Sequence, residues 1–147
     1  LVDAPCSGEG MFRDTVARNE WSEDNAAMCS DRQKRILMDV WPALKEEGIL
    51  IYSTCTFNPA ENEENVKWLT ERKGAETIRL DISEYKGIIE INYRGIYGYG
   101  FYPGKVRGEG FFISVLYVIP APPFSVWQKT QSVHPRPASR SCRNGSM

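Results

Sequence analysis

Two short apolar runs, each followed by a turn-rich polar loop and then a helical pattern, set the architecture open to this chain. Leu1-Val2 closes the first run and leads into Asp3-Ala4-Pro5-Cys6-Ser7-Gly8-Glu9-Gly10, so the chain opens on the last residues of a strand. No initiating Met precedes it, which reads as a piece of a longer protein. The second run, Ile49-Leu50-Ile51-Tyr52-Ser53, is almost continuously apolar and rich in β-formers, the pattern of a strand covered on both faces. Strand, loop, helix, strand, loop, helix is the alternation of a parallel α/β sheet with right-handed crossovers. In such a sheet every strand-to-helix loop lies at the carboxyl edge, where ligands bind. Asp3 to Cys6 and Thr54-Cys55 both occupy such loops, so the two thiols and a carboxylate are expected to share a cleft.

The helices carry recognisable boundaries. Ser30 with Gln33 forms a capping box ahead of Ile36, Leu37, Val40, Trp41 and Leu44, with Pro42 expected to kink this helix and Gly48 to stop it. The stretch from Asn25 to Cys29 is either an earlier turn of the same helix or a separate one. A second helix is expected with Asn58 as N-cap, Pro59 in its first turn, Glu61 closing a capping box, Val66 and Leu69 facing inward, and Gly74 near its end. Further strands are expected over 77–82, 88–91 and 111–119, with a Gly- and Tyr-rich loop over 93–110. Trp41 and Trp68 read as helix packing residues, while Tyr93, Tyr97, Tyr99 and Tyr102 suit either base stacking or ordinary packing.

At 147 residues the chain is expected to hold one domain. That domain spans 1–119, and residues 120–147, with five prolines and little periodicity, read as a Pro/Ser-rich basic tail, disordered or a linker. The formal charge of −1 gives no bulk attraction toward nucleic acid. Four basic residues and no acidic ones lie in the tail, leaving residues 1 to 119 with 14 basic against 19 acidic groups, so local geometry must govern any nucleic-acid contact. No apolar run approaches a membrane span and no secretory leader opens the sequence, which points to a cytoplasmic protein. Cys6, Cys29, Cys55 and Cys142 form no C-x-x-C pair and His134 is the one histidine, which argues against zinc and against a disulfide framework. Each cysteine is either chemical or simply buried. Cys55, three residues before the expected helix cap at Asn58, would have its thiolate favoured by that helix's amides and dipole.

These residues also carry a likeness. Asp3-Ala4-Pro5-Cys6-Ser7-Gly8-Glu9-Gly10-Met11-Phe12-Arg13 and Tyr52-Ser53-Thr54-Cys55-Thr56-Phe57-Asn58-Pro59-Ala60-Glu61-Asn62-Glu63 resemble the two cysteine motifs of RNA cytosine-5 methyltransferases of the Nol1/Nop2/Sun family. The block from Phe101 to Phe112 is similar to a late motif of that family. The resemblance implies an α/β fold, the C-terminal portion of a Rossmann-like S-adenosylmethionine-dependent methyltransferase sheet, mostly parallel with an antiparallel late strand. It implies methyl transfer from S-adenosylmethionine to C5 of cytosine in RNA, with ribosomal RNA ahead of transfer RNA. By the same resemblance Cys55 is the nucleophile that adds to C6, and Cys6 assists breakdown of the covalent adduct. Asp3 hydrogen-bonds the N3/N4 side of the base and lies near the cofactor, and Pro5 helps line the cofactor cleft. The family's Pro-His is Pro103-Gly104 here, and Gly100 stands where an Arg is common, so a substrate contact is lost or passes to Lys105 and Arg107. The glycine-rich turn and ribose-binding acid of the cofactor-binding half would precede Leu1, and no G-x-G-x-x-G occurs in the chain. Two alternatives stand: a catalytically silent RNA-binding fragment, or a DNA cytosine-5 methyltransferase with Cys6 as nucleophile.

Overall fold

The structure, a computed structural model, describes residues 1–120; the expected tail beyond Pro120, with His134 and Cys142, lies outside the described residues. Six strands form one sheet: β1 (Val2–Asp3), β2 (Ile49–Thr54), β3 (Ala75–Thr77), β4 (Ile88–Tyr93), β5 (Ile96–Phe101) and β6 (Phe111–Val118). Three helices, α1 (Thr15–Glu20), α2 (Glu23–Val40) and α3 (Glu63–Lys73), lie in the connections. The sheet order is β1-β2-β6-β5-β4, and β3 pairs with the C-terminal end of β6 beside β5. β1 and β2 are parallel, with Val2 opposite Tyr52 and Asp3 opposite Ser53. The antiparallel part takes in β3, β4 and β5 as well as the late strand β6.

The sheet is held to α2 and α3 by one apolar cluster in which Leu37, Leu50, Tyr52, Val66, Leu69, Phe112 and Leu116 are almost fully buried. Trp41 and Trp68 pack against its margin, as their helical spacing predicts. Leu37 has no exposed surface. Leu37→Ala is therefore expected to cost about 2 to 5 kcal/mol of folding stability, read as a lowered urea midpoint at unchanged slope.

Both helix starts differ from the sequence expectation, for one reason: the capping residues were committed elsewhere. α2 begins at Glu23, with Ser22 accepting the Asn25 amide at 3.1 Å. Asn25 to Cys29 thus belongs to the helix. Ser30 lies within it, buried, donating to the Ala60 carbonyl at 2.8 Å. α2 stops at Val40, and Pro42 sits in a following 3-10 turn, Trp41–Ala43, so it ends the helix where a kink was expected. α3 begins only at Glu63. Asn58 organises a separate turn, accepting the Ala60 amide at 3.0 Å. The Asn62 side chain accepts from Thr54 Oγ1 and donates to the Thr56 carbonyl, which holds its backbone off the helical path at ψ −96°. Gly74 ends α3 as expected.

The expected strand over 77–82 is only Ala75–Thr77, after which the chain leaves β6 and Leu80 N donates to the Tyr99 hydroxyl. Part of the expected loop is the strand β5. Arg94 and Gly95, with φ of 51° and 84°, make the tight two-residue connection from β4 that matches strand twist. Gly98 and Gly100 leave room for the rings of Phe112 and Tyr102, which cover them. Tyr99 is a core residue, and Tyr102 stacks on Phe57 with ring centroids 5.0 Å apart. No helix among the described residues is long and apolar enough to cross a membrane.

Candidate active site

The parallel register of β1 and β2 brings their carboxyl ends side by side, and Ala4 N continues the pairing to the Ser53 carbonyl at 2.8 Å. The loops leaving these ends carry Cys6 and Cys55, whose sulfurs lie 2.8 Å apart. The Cys55 amide also points at the Cys6 sulfur, at 3.2 Å. Both side chains are partly exposed. They open on a cavity of about 280 Å³ with Met11, Val16, Ala17 and Glu20 along its other side. A larger hollow of about 540 Å³, lined by Arg79 to Ser83 and Glu90, shares no residue with it, and its Arg79 and Glu90 side chains already pair with each other.

The two thiols share one proton unequally. The hydrogen bond from Cys6 lowers Cys55 to about 7, against burial and the nearby charges of Asp3 and Glu61. The same bond, together with burial, pushes Cys6 far upward. Once the pair loses a proton, the charge is therefore favoured on Cys55 and the remaining proton on Cys6. This contact with Cys6 adds to the helix start inferred from sequence: α3 begins at Glu63, and its N-cap Asn62 is bonded to Thr54 and Thr56 on either side of Cys55. Since the thiolate is the reactive form, alkylation of Cys55 should be half-maximal near pH 7 and fall as pH drops below it. Peptide-resolved mass spectrometry after brief iodoacetamide treatment across pH checks this.

Asp3 is exposed at the carboxyl end of β1, and its Oδ1 accepts the Ser53 hydroxyl at 2.8 Å. Pro5 is exposed, with its carbonyl accepting from Gln33 Nε2 at 3.0 Å. Neither lines the cavity. Lys105 and Arg107 are exposed on the loop that leads into β6, also outside the cavity lining. Cys29 sits on α2, with its sulfur 3.9 Å from Asn25 Oδ1.

Several residues that build the site went unmarked in the sequence reading. Gly10 N donates to the Cys55 carbonyl at 2.9 Å, and Gly110 N donates to the Gly10 carbonyl at 2.8 Å, joining three loops through backbone alone. Glu9 accepts from Phe57 N at 3.2 Å and from Trp21 Nε1 at 3.1 Å, tying the turn after Cys6 to the loop after Cys55. Glu61, expected to close a capping box, is fully buried beneath both cysteine loops. The glycines and acids of the two motifs were the available signal, but single-chain spacing does not tell which loop each one meets.

Comparison with known proteins adds a family. Residues 1–117 match the family model described as 16S rRNA methyltransferase RsmB/F. The "Ribosomal RNA small subunit methyltransferase F" of Pectobacterium atrosepticum is 33% identical over 144 residues, covering 93% of this chain and 26% of that protein. The protein of the same name from Cronobacter sakazakii is 34% identical over 141 residues, covering 94% of this chain and 27% of that protein. The chain thus spans about a quarter of the length of these relatives. Among solved structures, NSun6 from Pyrococcus horikoshii with SFG superposes with a TM-score of 0.64 at 30% identity, over 82% of this chain and 30% of that one. A methyltransferase homolog protein from the same organism gives 0.63 at 30% identity, over 81% of this chain and 38% of that one.

Proposed function

We propose, from the premise that this chain belongs to the RsmB/F family of 16S rRNA methyltransferases, that it supplies the nucleophile of an RNA cytosine-5 methyltransferase acting on ribosomal RNA. The observation that carries this reading is the Cys6–Cys55 pair: two sulfurs 2.8 Å apart at the carboxyl edge of the sheet. The family is one of S-adenosylmethionine-dependent methyltransferases with a Rossmann-like fold. Residues 1–119 are read as the carboxyl-terminal part of the catalytic domain, with the rest of the cofactor site supplied by sequence that precedes this stretch in the relatives.

The residues present fit one side of that cofactor's site. Asp3 holds an exposed carboxylate at the end of β1 with only Oδ1 engaged, by Ser53, so it keeps acceptor capacity at the edge where a ligand binds in such a sheet. Pro5 follows it in a turn fixed by Gln33. S-adenosylmethionine, when bound, supplies the methyl group as an electrophile.

C5 of cytosine is a weak nucleophile, and the thiolate corrects this. The Cys55 sulfur donates its electron pair to C6, the ring electrons move toward N3, and a proton taken up there leaves an enamine with a nucleophilic C5. Asp3 is assigned to the N3/N4 side of the base, favouring that protonation. After methylation a solvent base takes the C5 proton, the C5–H electrons form the C5=C6 bond as the S–C6 pair returns to sulfur, and N3 gives up the proton it gained, releasing 5-methylcytosine. The Cys6 S–H, in contact with the departing sulfur, stabilises it as a thiolate. Lys105 and Arg107 are assigned to RNA phosphates, and the base must leave its stack to reach the cavity.

The experiment is covalent trapping. RNA and DNA oligonucleotides containing 5-azacytosine are incubated with the protein and S-adenosylmethionine, and the cross-linked peptide is mapped. RNA linked at Cys55 is expected. A link to Cys6, or a DNA adduct with none to RNA, would reverse the assignment toward a DNA enzyme.

A further inference from the structure

Beneath the two cysteine loops lies a fully buried carboxylate that forms no ion pair among the described residues. Glu61 Oε1 accepts from the Ser7 amide and from Gln33 Nε2, each at 2.9 Å, and Oε2 accepts from the Ser7 hydroxyl. The Ser7 hydroxyl also contacts Thr56 Oγ1 at 3.0 Å. Gln33 Nε2 in turn donates to the Pro5 carbonyl, while its own oxygen accepts from Tyr52 and Asn65. One side chain thus reaches both neighbours of Cys6, directly at Ser7 and through Gln33 at Pro5. It also reaches the residue after Cys55 through the Ser7 hydroxyl.

Burying an acid without a cation is costly, and an apolar side chain at this place would be the cheaper way to fill space. What an apolar residue cannot do is accept hydrogen bonds at once from Ser7, which touches Thr56 of the other loop, and from Gln33, which holds Pro5. We propose that Glu61 is a positioning residue for the thiol pair, clamping both cysteine loops from below so that the Cys6 thiol stays on the Cys55 sulfur. Nothing in this role requires contact with substrate. The inference rests on the reading of Cys55 as the nucleophile, and its test avoids methyl transfer.

The direction of the response separates position from charge. Asp3 and Glu61 are the acidic groups that disfavour the Cys55 thiolate, so loss of the Glu61 charge alone would move its titration downward. Loss of the clamp frees Cys6 from Cys55 and moves it upward. The full 147-residue chain is alkylated with iodoacetamide across pH and read peptide by peptide, with near-ultraviolet circular dichroism as the check on folding. In Glu61→Ala the Cys55 midpoint is expected to rise from near 7 toward the ordinary thiol range, lowering its reactivity at neutral pH by on the order of tenfold or more. Glu61→Gln is expected to keep the low midpoint, because its oxygen still accepts from the Ser7 amide and Gln33 while the Ser7 hydroxyl turns to accept from the new amide group. Should Glu61→Ala fail to fold, Ser7→Ala removes the hydroxyl's bonds to Glu61 Oε2 and to Thr56 while keeping the Ser7 amide bond to Glu61, and must raise the midpoint by itself. A folded Glu61→Ala with an unchanged or lowered midpoint, or a Gln variant that behaves like Ala, overturns this inference alone. A wild-type Cys55 that titrates as an ordinary thiol overturns the nucleophile reading and this inference with it.

Discussion

If Cys55 is the nucleophile as proposed, Cys55→Ser is expected to lower methyl transfer to RNA by on the order of 10⁴-fold or more, since a serine hydroxyl beside Cys6 stays protonated near neutrality and the covalent route would close. Cys6→Ala is expected to do something different. It removes the proton donor from the Cys55 sulfur, so attack needs a higher pH while expulsion of that sulfur slows at every pH. At alkaline pH, where Cys55 ionises in both proteins, the Cys6→Ala enzyme should accumulate an RNA-linked species that resists denaturation with detergent, and the wild type should not. Gel electrophoresis of labelled RNA with each variant checks both. Accumulation in Cys55→Ser in place of Cys6→Ala would exchange the two roles.

Gly110→Ala is expected to be a severely damaging single-methyl change in the site. A Cβ there would lie 2.0 Å from Phe57 Cζ and 2.6 Å from Gly10 Cα. Phe57 is stacked on Tyr102 and cannot simply swing aside, and Gly10 is backbone. The three loops must therefore separate, at a cost of about 3 kcal/mol, with a fall in melting temperature of roughly 10 °C. Because Gly10 also binds the Cys55 carbonyl, the variant should lose thiolate reactivity as well as stability. Thermal melting by circular dichroism, paired with Cys55 alkylation at one pH, measures the two effects. A melting temperature within a degree or two of wild type would contradict the close contact.

The sheet's outline was legible because its strands are dense in β-branched and aromatic residues, as in Ile49–Thr54 and Phe111–Val118. The meeting of Cys6 and Cys55 was legible too, because parallel strands force their loops to one edge. Three things were not. β5 was hidden because Gly98 and Gly100, poor strand formers alone, are completed by the rings of Phe112 and Tyr102 from elsewhere in the chain. The start of α3 was misplaced because Asn62 is drawn away by Thr54 and Thr56, contacts that local capping patterns do not contain. The contribution of Cys6 to the Cys55 thiolate was hidden for the same reason, since it comes from a neighbour distant in sequence.

β6 runs opposite to β2, so it is the start of β6, at Phe111, that stands level with Thr54, while Val118 lies toward the other rim. The segment ahead of β6, over 102–110, consequently leaves the sheet at the rim that carries the cysteine loops, where Gly110 bonds to Gly10. On the proposed function, lengthening or recharging it is expected to alter which polynucleotides can approach while leaving the strand ladder intact. A designer wishing to retarget such a protein has a single hairpin arm to rewrite.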